Sequence, residues 1–268
     1  MLELLNDYRT PLSYPGGKKK LWPIFRSYLP TDVLQLVSPF VGGAAIELAC
    51  AANGIKVKAF DNFEPLVNFW KQMQLDANVV VDQVRHYFPL DNDYFRYVFK
   101  SELIAGCADQ DGSIFTDVER AALFFVINKM SFNGFSLARG YNNNNFKKVG
   151  YFKRWRNWTN NNITFGHQDC FDTIQQYDGV FMYLDPPYIG NDHYYGANTN
   201  PNEQHFDHYK LCSILKQSSS KWILSYGDHT IIRELYCDYK MITPSWNYSS
   251  RNWIAQGVDS SELLILNL

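Results

Sequence analysis

The chain has 268 residues, 46% of them hydrophobic and 19% charged, with a formal net charge of -2. That balance excludes a collagen-like, coiled-coil or largely disordered protein, and the length suits one large domain or one domain carrying an inserted module. An aromatic fraction of 16% supports a large core and leaves rings over for stacking on ligands. In chain order, a loop at residues 13–18 (Ser-Tyr-Pro-Gly-Gly-Lys) comes first, and a helix is expected over 21–28 with Pro23 in its first turn. Residues 34–37 read as a short buried strand running into a glycine turn at 38–43. A helix over 44–52 follows, stopped by Asn53-Gly54. The next strand, 56–60, ends at Asp61, and a helix spans 66–74. This strand–turn–helix–strand unit implies a right-handed crossover.

The middle of the chain differs in character. Helix-like patterns occupy 78–88, 94–103 and 118–129, followed by an Asn-rich loop around 141–145, with no strand–helix alternation. Alternation returns with strands at 163–165, 179–184 and 221–225, a helix near 230–236, and a strand at 262–266 expected on the edge of the sheet. The expected architecture is a doubly wound α/β domain built from 1–76 and 156–268, split by a mostly helical insert at 77–155.

No apolar run approaches the roughly 20 residues needed to cross a bilayer. Residues 1–7 lack a basic leader and an apolar signal core. Five cysteines stand alone at 50, 107, 170, 212 and 237, with no CxxC pair. The expectation is a cytoplasmic protein with reduced thiols and no metal site. Charge is uneven along the chain. Between Asn128 and Gln168 there is no Asp or Glu, while Lys129, Arg139, Lys147, Lys148, Lys153, Arg154 and Arg156 all fall there. Such a stretch suits a phosphate backbone, or is a solvated loop balanced by acids elsewhere in the fold.

Ligands of doubly wound sheets sit beyond the carboxyl ends of the strands. Three features stand there. The sharpest is Asp185-Pro186-Pro187-Tyr188, directly after a continuous apolar strand. Two prolines remove two backbone donors, leaving a rigid rim of acceptors: the Asp185 carboxylate and carbonyls such as that of Pro186. Acceptors without donors suit an amino group that presents two N–H bonds, and Tyr188 adds a flat ring for a base. The alternative is a plain strand and turn with Asp185 satisfied by local amides. The second feature is the turn Pro39-Phe-Val-Gly-Gly-Ala44, where missing Cβ atoms admit a ligand close to the backbone. Gly42 and Gly43 are adjacent, so the dinucleotide spacing G-x-G-x-x-G fails. Asp61 lies about 20 residues on, placed either to hold two ribose hydroxyls or to cap the next turn. Asp169, at another strand end, either reaches an adenine amino group or caps a helix. The third feature, Tyr14-Pro15-Gly16-Gly17-Lys18, lacks phosphate-loop spacing; its lysine meets a carboxylate or lies in a solvated basic turn.

Taken in order, Tyr-Pro-Gly-Gly-Lys (14–18), Pro-Phe-Val-Gly-Gly (39–43), Asp61-Asn62 and Asp-Pro-Pro-Tyr (185–188) resemble the DNA adenine methylase (Dam-like) family. Its members are S-adenosylmethionine-dependent adenine-N6 methyltransferases with a Rossmann-like sheet. The resemblance runs over almost the whole chain, including Asn128-Lys-Met-Ser-Phe-Asn-Gly134, Trp222-Ile-Leu-Ser-Tyr226 and Glu262-Leu-Leu-Ile265. It implies that Tyr14 and Lys18 contact the cofactor, in a loop shaped by Pro15, Gly16 and Gly17. Phe40, Gly42 and Gly43 would line the cofactor cleft, Asp61 with Asn62 would hold the ribose, and Asp169 would reach the cofactor adenine. Asp185, on the cofactor's border, would hold the target base with Pro186, Pro187 and Tyr188. DNA contacts would come from the insert, through Lys129, Asn133, Arg139, Lys147, Lys148, Lys153, Arg154 and Arg156. A cognate restriction endonuclease is a further candidate partner. Two departures stand out: Phe-Val-Gly-Gly-Ala replaces the usual Phe-Val-Gly-Ala-Gly, and Phe-Ser-Leu-Ala-Arg-Gly140 replaces the Arg-x-Asn pattern of GATC-specific members, so GATC specificity is not expected.

The chemistry implied is direct transfer to the N6 of an adenine flipped out of a duplex, without a metal or a covalent enzyme intermediate. An RNA adenine methyltransferase or an inactive DNA-binding module of the same fold are the competing readings. His193, His205, His208 and His229 are scattered and are expected in surface or loop roles.

Overall fold

The computed structural model describes residues 10–14, 16–87, 109, 114–131, 151–190, 206–244 and 262–268. Their core is a seven-stranded sheet: β1 (Gln35–Ser38), β2 (Lys56–Asp61), β3 (Ile163–His167), β4 (Phe181–Leu184), β5 (Trp222–Gly227), β6 (Lys240–Ile242) and β7 (Glu262–Asn267), in the order β3-β2-β1-β4-β5-β7-β6. The first five pair in parallel, and β7 runs antiparallel to both its neighbours. The fold is therefore mixed α/β. The strand expected on the sheet's edge is internal: β7 is flanked by β5 and by the unexpected β6. Leu263, Leu264, Ile265 and Leu266 are all buried because both faces of the sheet are covered there, and pairing with β6 closes the edge that an apolar run leaves undecided.

Successive strand residues enter two different apolar clusters, as the two-residue side-chain period of a strand requires. Leu36, Tyr183, Ile223 and Leu264 join the first, which also takes in α1 (Trp22–Tyr28), α2 (Ala45–Ala52), α3 (Glu64–His86) and α4 (Asp117–Met130). Val37, Met182, Leu224 and Leu263 join the second, with α5 (Cys170–Gln176), α6 (His208–Gln217) and α7 (Thr230–Leu235). The sequence reading contained neither α5 nor α6. The helices read at 66–74 and 78–88 are the two arms of α3, bent where Asp76 takes an extended backbone (φ -158°, ψ 97°). Both arms bury residues in the first cluster, among them Phe69 before the bend and Val81 after it, alongside Phe124 of α4. The helix pattern at 94–103 lies outside the described residues.

α4 matters to the site because it fixes an N-terminal loop. It starts with a capping box in which Glu119 N–H donates to Thr116 and Thr116 N–H donates back to Glu119 at 2.8 Å. Buried Arg120 ties it to Asp117 and to Glu64 of α3. At its far end, the Asn128 amide clasps the Ser13 backbone, accepting from its N–H at 2.9 Å and donating to its carbonyl at 2.7 Å. Lys129 adds a bond to Ser13 Oγ at 3.0 Å. Tyr14 and the loop that follows are thereby held over the strand ends. Among the described residues, no helix is long and apolar enough to cross a membrane.

Candidate active site

The turn after β1 is shaped around Tyr14. Gly42 has φ +44°, and a Cβ there would stand 2.9 Å from the Tyr14 ring; a Cβ on Gly43 would stand 2.9 Å from Tyr14 Cβ. Any larger residue would push the ring away, so the adjacent glycines couple two separate motifs. Ala44 continues the turn in the left-handed region at φ 55°, where α2 starts. Trp70 of α3 donates its indole N–H to the Gly42 carbonyl at 3.2 Å. From the neighbouring strand, Asp61 accepts the Gly42 N–H at 3.0 Å on one oxygen and the Phe63 N–H at 3.1 Å on the other. Burial pushes its carboxyl up to about 6, although these amides pull the other way. Asp61 is thus bonded into the turn rather than forming the N-cap of α3, which is Phe63. Beneath the turn, Ser38 Oγ donates to Glu47 at 2.6 Å, and burial raises the Glu47 carboxyl to about 8.

The end of β4 carries a denser cluster. Lys18, only 6% exposed, donates to the Gly16 carbonyl at 2.8 Å, and its Nζ lies 3.0 Å from Asp185 and 3.6 Å from Glu262. The same ammonium sits over the Tyr188 ring, 4.9 Å from its centroid. The Tyr188 hydroxyl lies 3.3 Å from Asp185 and 3.2 Å from Ser225 Oγ, and donates to Glu262, which also accepts from Ser225 at 2.6 Å. Gly227 makes room for the ring, since a Cβ there would come within 3.0 Å of it. Asp185 is raised to about 6, by burial first, with Lys18 lowering it and Glu262 raising it further. Burial, helped by Asp185 and Glu262, also holds the Tyr188 phenol well above its ordinary range, so it acts as a donor. Two carboxylates, one ammonium and one phenol thus cluster at the end of β4: an arrangement that can grip a hydrogen-bonding planar group and stabilise charge that develops on it.

The sequence matches the family described as D12 class N6 adenine-specific DNA methyltransferase over residues 14–250. The chain belongs to that family. Its similarity to individual proteins is lower. It is 25% identical over 251 residues to the type II methyltransferase M1.LlaDCHI of Lactococcus lactis subsp. cremoris, covering 85% of this chain and 84% of that protein. It is 31% identical over 147 residues to the DNA N-6-adenine-methyltransferase of Escherichia phage P1, which is 54% of this chain and 18% of the relative. The activity is methylation of adenine in DNA, and an activity of that kind draws on a methyl donor of the S-adenosylmethionine type.

In this methyltransferase the structure gathers Tyr14, Gly42, Gly43 and Asp61 around the turn, and Gly16, Lys18, Asp185 and Tyr188 at the end of β4. Other expected residues are engaged by local partners. Asp169 is the N-cap of α5, its Oδ1 accepting from Phe171 N–H at 2.8 Å and Asp172 N–H at 3.4 Å. Phe40 packs edge-on to Phe206, which stacks on Phe171. Asn62 is exposed, and its carbonyl pairs with the His167 ring at 3.1 Å. Arg156 is ion-paired with Asp82 across α3, whereas Lys153 and Arg154 are exposed in the 3-10 turn Tyr151–Trp155. Pro15, Asn133, Arg139, Lys147 and Lys148 lie outside the described residues, as do His193 and His205. Of the other histidines, His208 opens α6 with Nδ1 2.7 Å from the Tyr226 hydroxyl, and His229 caps α7.

The sequence assigns no individual role in this methyltransferase to Glu262, Ser225, Glu47 or Asn128, although all but Glu47 stand in segments that carry the family resemblance. Glu262 opens an apolar strand, and a charge in that position reads as the point where a strand meets water. Its register opposite Gly227 carries it inward instead. A serine inside the apolar run Trp222–Tyr226 is a signal in the residues themselves, because a buried hydroxyl needs a partner.

Proposed function

We propose that this methyltransferase acts on an adenine swung out of duplex DNA, with S-adenosylmethionine as donor and the β4 ledge as the base-holding surface. The observation that carries the reading is the run at the end of β4: a half-buried carboxylate, two prolines without N–H groups, and a tyrosine fixed at its hydroxyl. The adenine N6 is inaccessible inside a duplex, so the base must leave the stack. Stacking on Tyr188 would offset the loss by about 1–3 kcal/mol. The Asp185 carboxylate and the Pro186 carbonyl accept the two amino hydrogens, with Pro187 stiffening the ledge. Both bonds favour a pyramidal nitrogen whose lone pair points away from the ring. Forming the N6–CH3 bond would break the donor's S–CH3 bond and leave a neutral thioether; the positive charge that arises at N6 is stabilised by the Asp185 carboxylate until the amino proton leaves to solvent.

The residues around the turn fit the donor. Each Asp61 oxygen takes one backbone N–H, while a carboxylate offers about four lone-pair sites, so room remains for two ribose hydroxyls. When bound, S-adenosylmethionine supplies an electrophilic sulfonium methyl. Tyr14, Pro15, Gly16, Gly17, Lys18, Phe40, Gly42, Gly43 and Asn62 would border it, with Asp169 at the mouth of the cleft. The sheet is read as a doubly wound Rossmann-like core of residues 1–76 and 156–268, and 77–155 as a mostly helical target-recognition insert. Exposed Lys153 and Arg154 would meet phosphates together with Arg139, Lys147 and Lys148, while Asn133 is a candidate base reader. A cognate restriction endonuclease is proposed as a partner, in keeping with the relative named a type II methyltransferase.

The test is incubation of the purified protein with labelled S-adenosylmethionine and either unmethylated duplex DNA or RNA, followed by mapping of the modified positions. N6-methyladenine confined to a recurring DNA sequence is expected. Label on RNA alone, or on a base other than adenine, overturns the proposal.

A further inference from the structure

Beside the Asp185 ledge lies a second carboxylate to which that reading gives no task. We propose that Glu262 is a positioning residue for methyl transfer: it holds Tyr188 by the hydroxyl and divides the Lys18 charge with Asp185. The inference rests on Asp185 and Tyr188 being the base-holding pair. Its support is geometric. Glu262 is 4% exposed and enters from β7, the strand antiparallel to β5, opposite Gly227. One oxygen, Oε1, accepts from Tyr188 Oη and from Ser225 Oγ at 2.6 Å, and the same oxygen stands 3.6 Å from Lys18 Nζ. Gly227, the cross-strand partner of Glu262, is the residue whose missing side chain makes room for the Tyr188 ring.

A tyrosine ring has two torsions to fix. Packing against Gly227 restrains one end of Tyr188, and the Glu262–Ser225 pair pins the other, which sets the plane a flipped base would meet. The electrostatic half follows from Lys18. An ammonium committed wholly to Asp185 would make that carboxylate a weak acceptor, because its charge would already be neutralised. Glu262 draws on the same ammonium and adds negative charge of its own, so Asp185 keeps more of its appetite for the N6 protons. The groups that face Asp185 are Lys18 from the N-terminal turn, Tyr188 from its own loop and Glu262 from β7; Glu47 of α2 and Tyr183 of β4 lie within its field.

The experiment compares Glu262→Gln with the unmodified protein in kcat, KM for DNA, affinity for S-adenosylmethionine, melting temperature and the pH profile of kcat. Glu262→Gln is expected to lower kcat about tenfold or more with cofactor affinity within roughly twofold, as for an interaction realised in the transition state. The acid limb of the kcat profile is expected to move to lower pH, because a charge that raises Asp185 is gone. An unchanged kcat and an unchanged acid limb would overturn the inference. Should Glu262→Gln fail to fold, Glu262→Asp keeps the charge one methylene short of Tyr188: a wild-type acid limb with reduced kcat is expected, and wild-type kcat is the contrary result. In a Tyr188→Phe background, Glu262→Asp should cost little more; fully additive losses would refute action through the hydroxyl. Full activity of Asp185→Ala would instead remove the ledge reading itself, so the two failures are distinguishable.

Discussion

Asp61 and Asp185 look alike in sequence: each stands at the carboxyl end of a parallel strand, and burial pushes each up to about 6. They differ in what opposes that burial. Asp61 is steadied by backbone amides of Gly42 and Phe63, which are neutral and rigid. Asp185 is steadied by the charge of buried Lys18 and unsettled by a second carboxylate. A carboxylate ringed by fixed dipoles suits a passive grip on hydroxyls. One balanced between opposite charges suits a group whose partner changes charge during a reaction. Near-identical acidity can therefore conceal opposite assignments, and the neighbours decide.

That contrast can be broken by experiment. The largest effect is expected from Asp185→Ala: methyl transfer should fall by about a thousandfold or more, in the range for removing a charge-stabilising group, while cofactor affinity stays within a few-fold. Near-normal turnover would erase the distinction. Asp61→Ala should do the reverse, weakening cofactor binding in calorimetry by roughly 10–100-fold, the loss of one or two hydrogen bonds to a charged group, and saturating cofactor should restore much of kcat. pH sharpens the comparison. Asp185 loses its charge as pH falls through about 6, so kcat at saturating substrates should decline on the acid side and level off above it. A flat kcat from pH 5 to 8 would contradict this assignment.

Stability should respond in the opposite sense. Asp61, Asp185 and Glu47 all have folded values raised above their ordinary ones, so the folded state binds protons more tightly than the unfolded chain. Their contribution is fully present below about pH 4 and is lost as pH rises through about 6 for the aspartates and about 8 for Glu47. Glu47→Gln should consequently melt higher than the unmodified protein at pH 8 by roughly 2–4 °C per kcal/mol recovered, with the gap closing toward pH 5. A gap that widens on acidification would disprove the sign. The smallest effect is expected from Lys153→Ala with Arg154→Ala: weaker DNA binding and a salt slope shallower by about 1 for each phosphate left unneutralised.

The residues of the parallel strands announced themselves because apolar runs end at punctuating residues: Gln35–Ser38 at a glycine turn, Lys56–Asp61 at an acid, Phe181–Leu184 at Asp185-Pro-Pro. The family motifs were legible for the same reason, since strand ends are where such sheets place ligands. What escaped has a physical explanation. α6 is only ten residues long and its stripe is short, Leu211, Cys212 and Leu215, although the spacing is helical. β6 is three residues long and contains a lysine. The neighbours of β7 depend on pairing between distant segments, about which an apolar run says nothing. Glu262 and Asn128 escaped by the same logic: each acts across the fold, on Tyr188 and on Ser13, at separations of 74 and 115 residues.

The placement of β7 also has a temporal side. It is the last of the seven strands in the order of synthesis, yet it must slot between two that precede it, bringing Glu262 to Tyr188 as it docks. Closing the sheet and finishing the ledge are one event. A nascent chain still short of this strand would hold Lys18 against Asp185 without Glu262, so on the proposed reading the ledge reaches its working form only when the last strand docks.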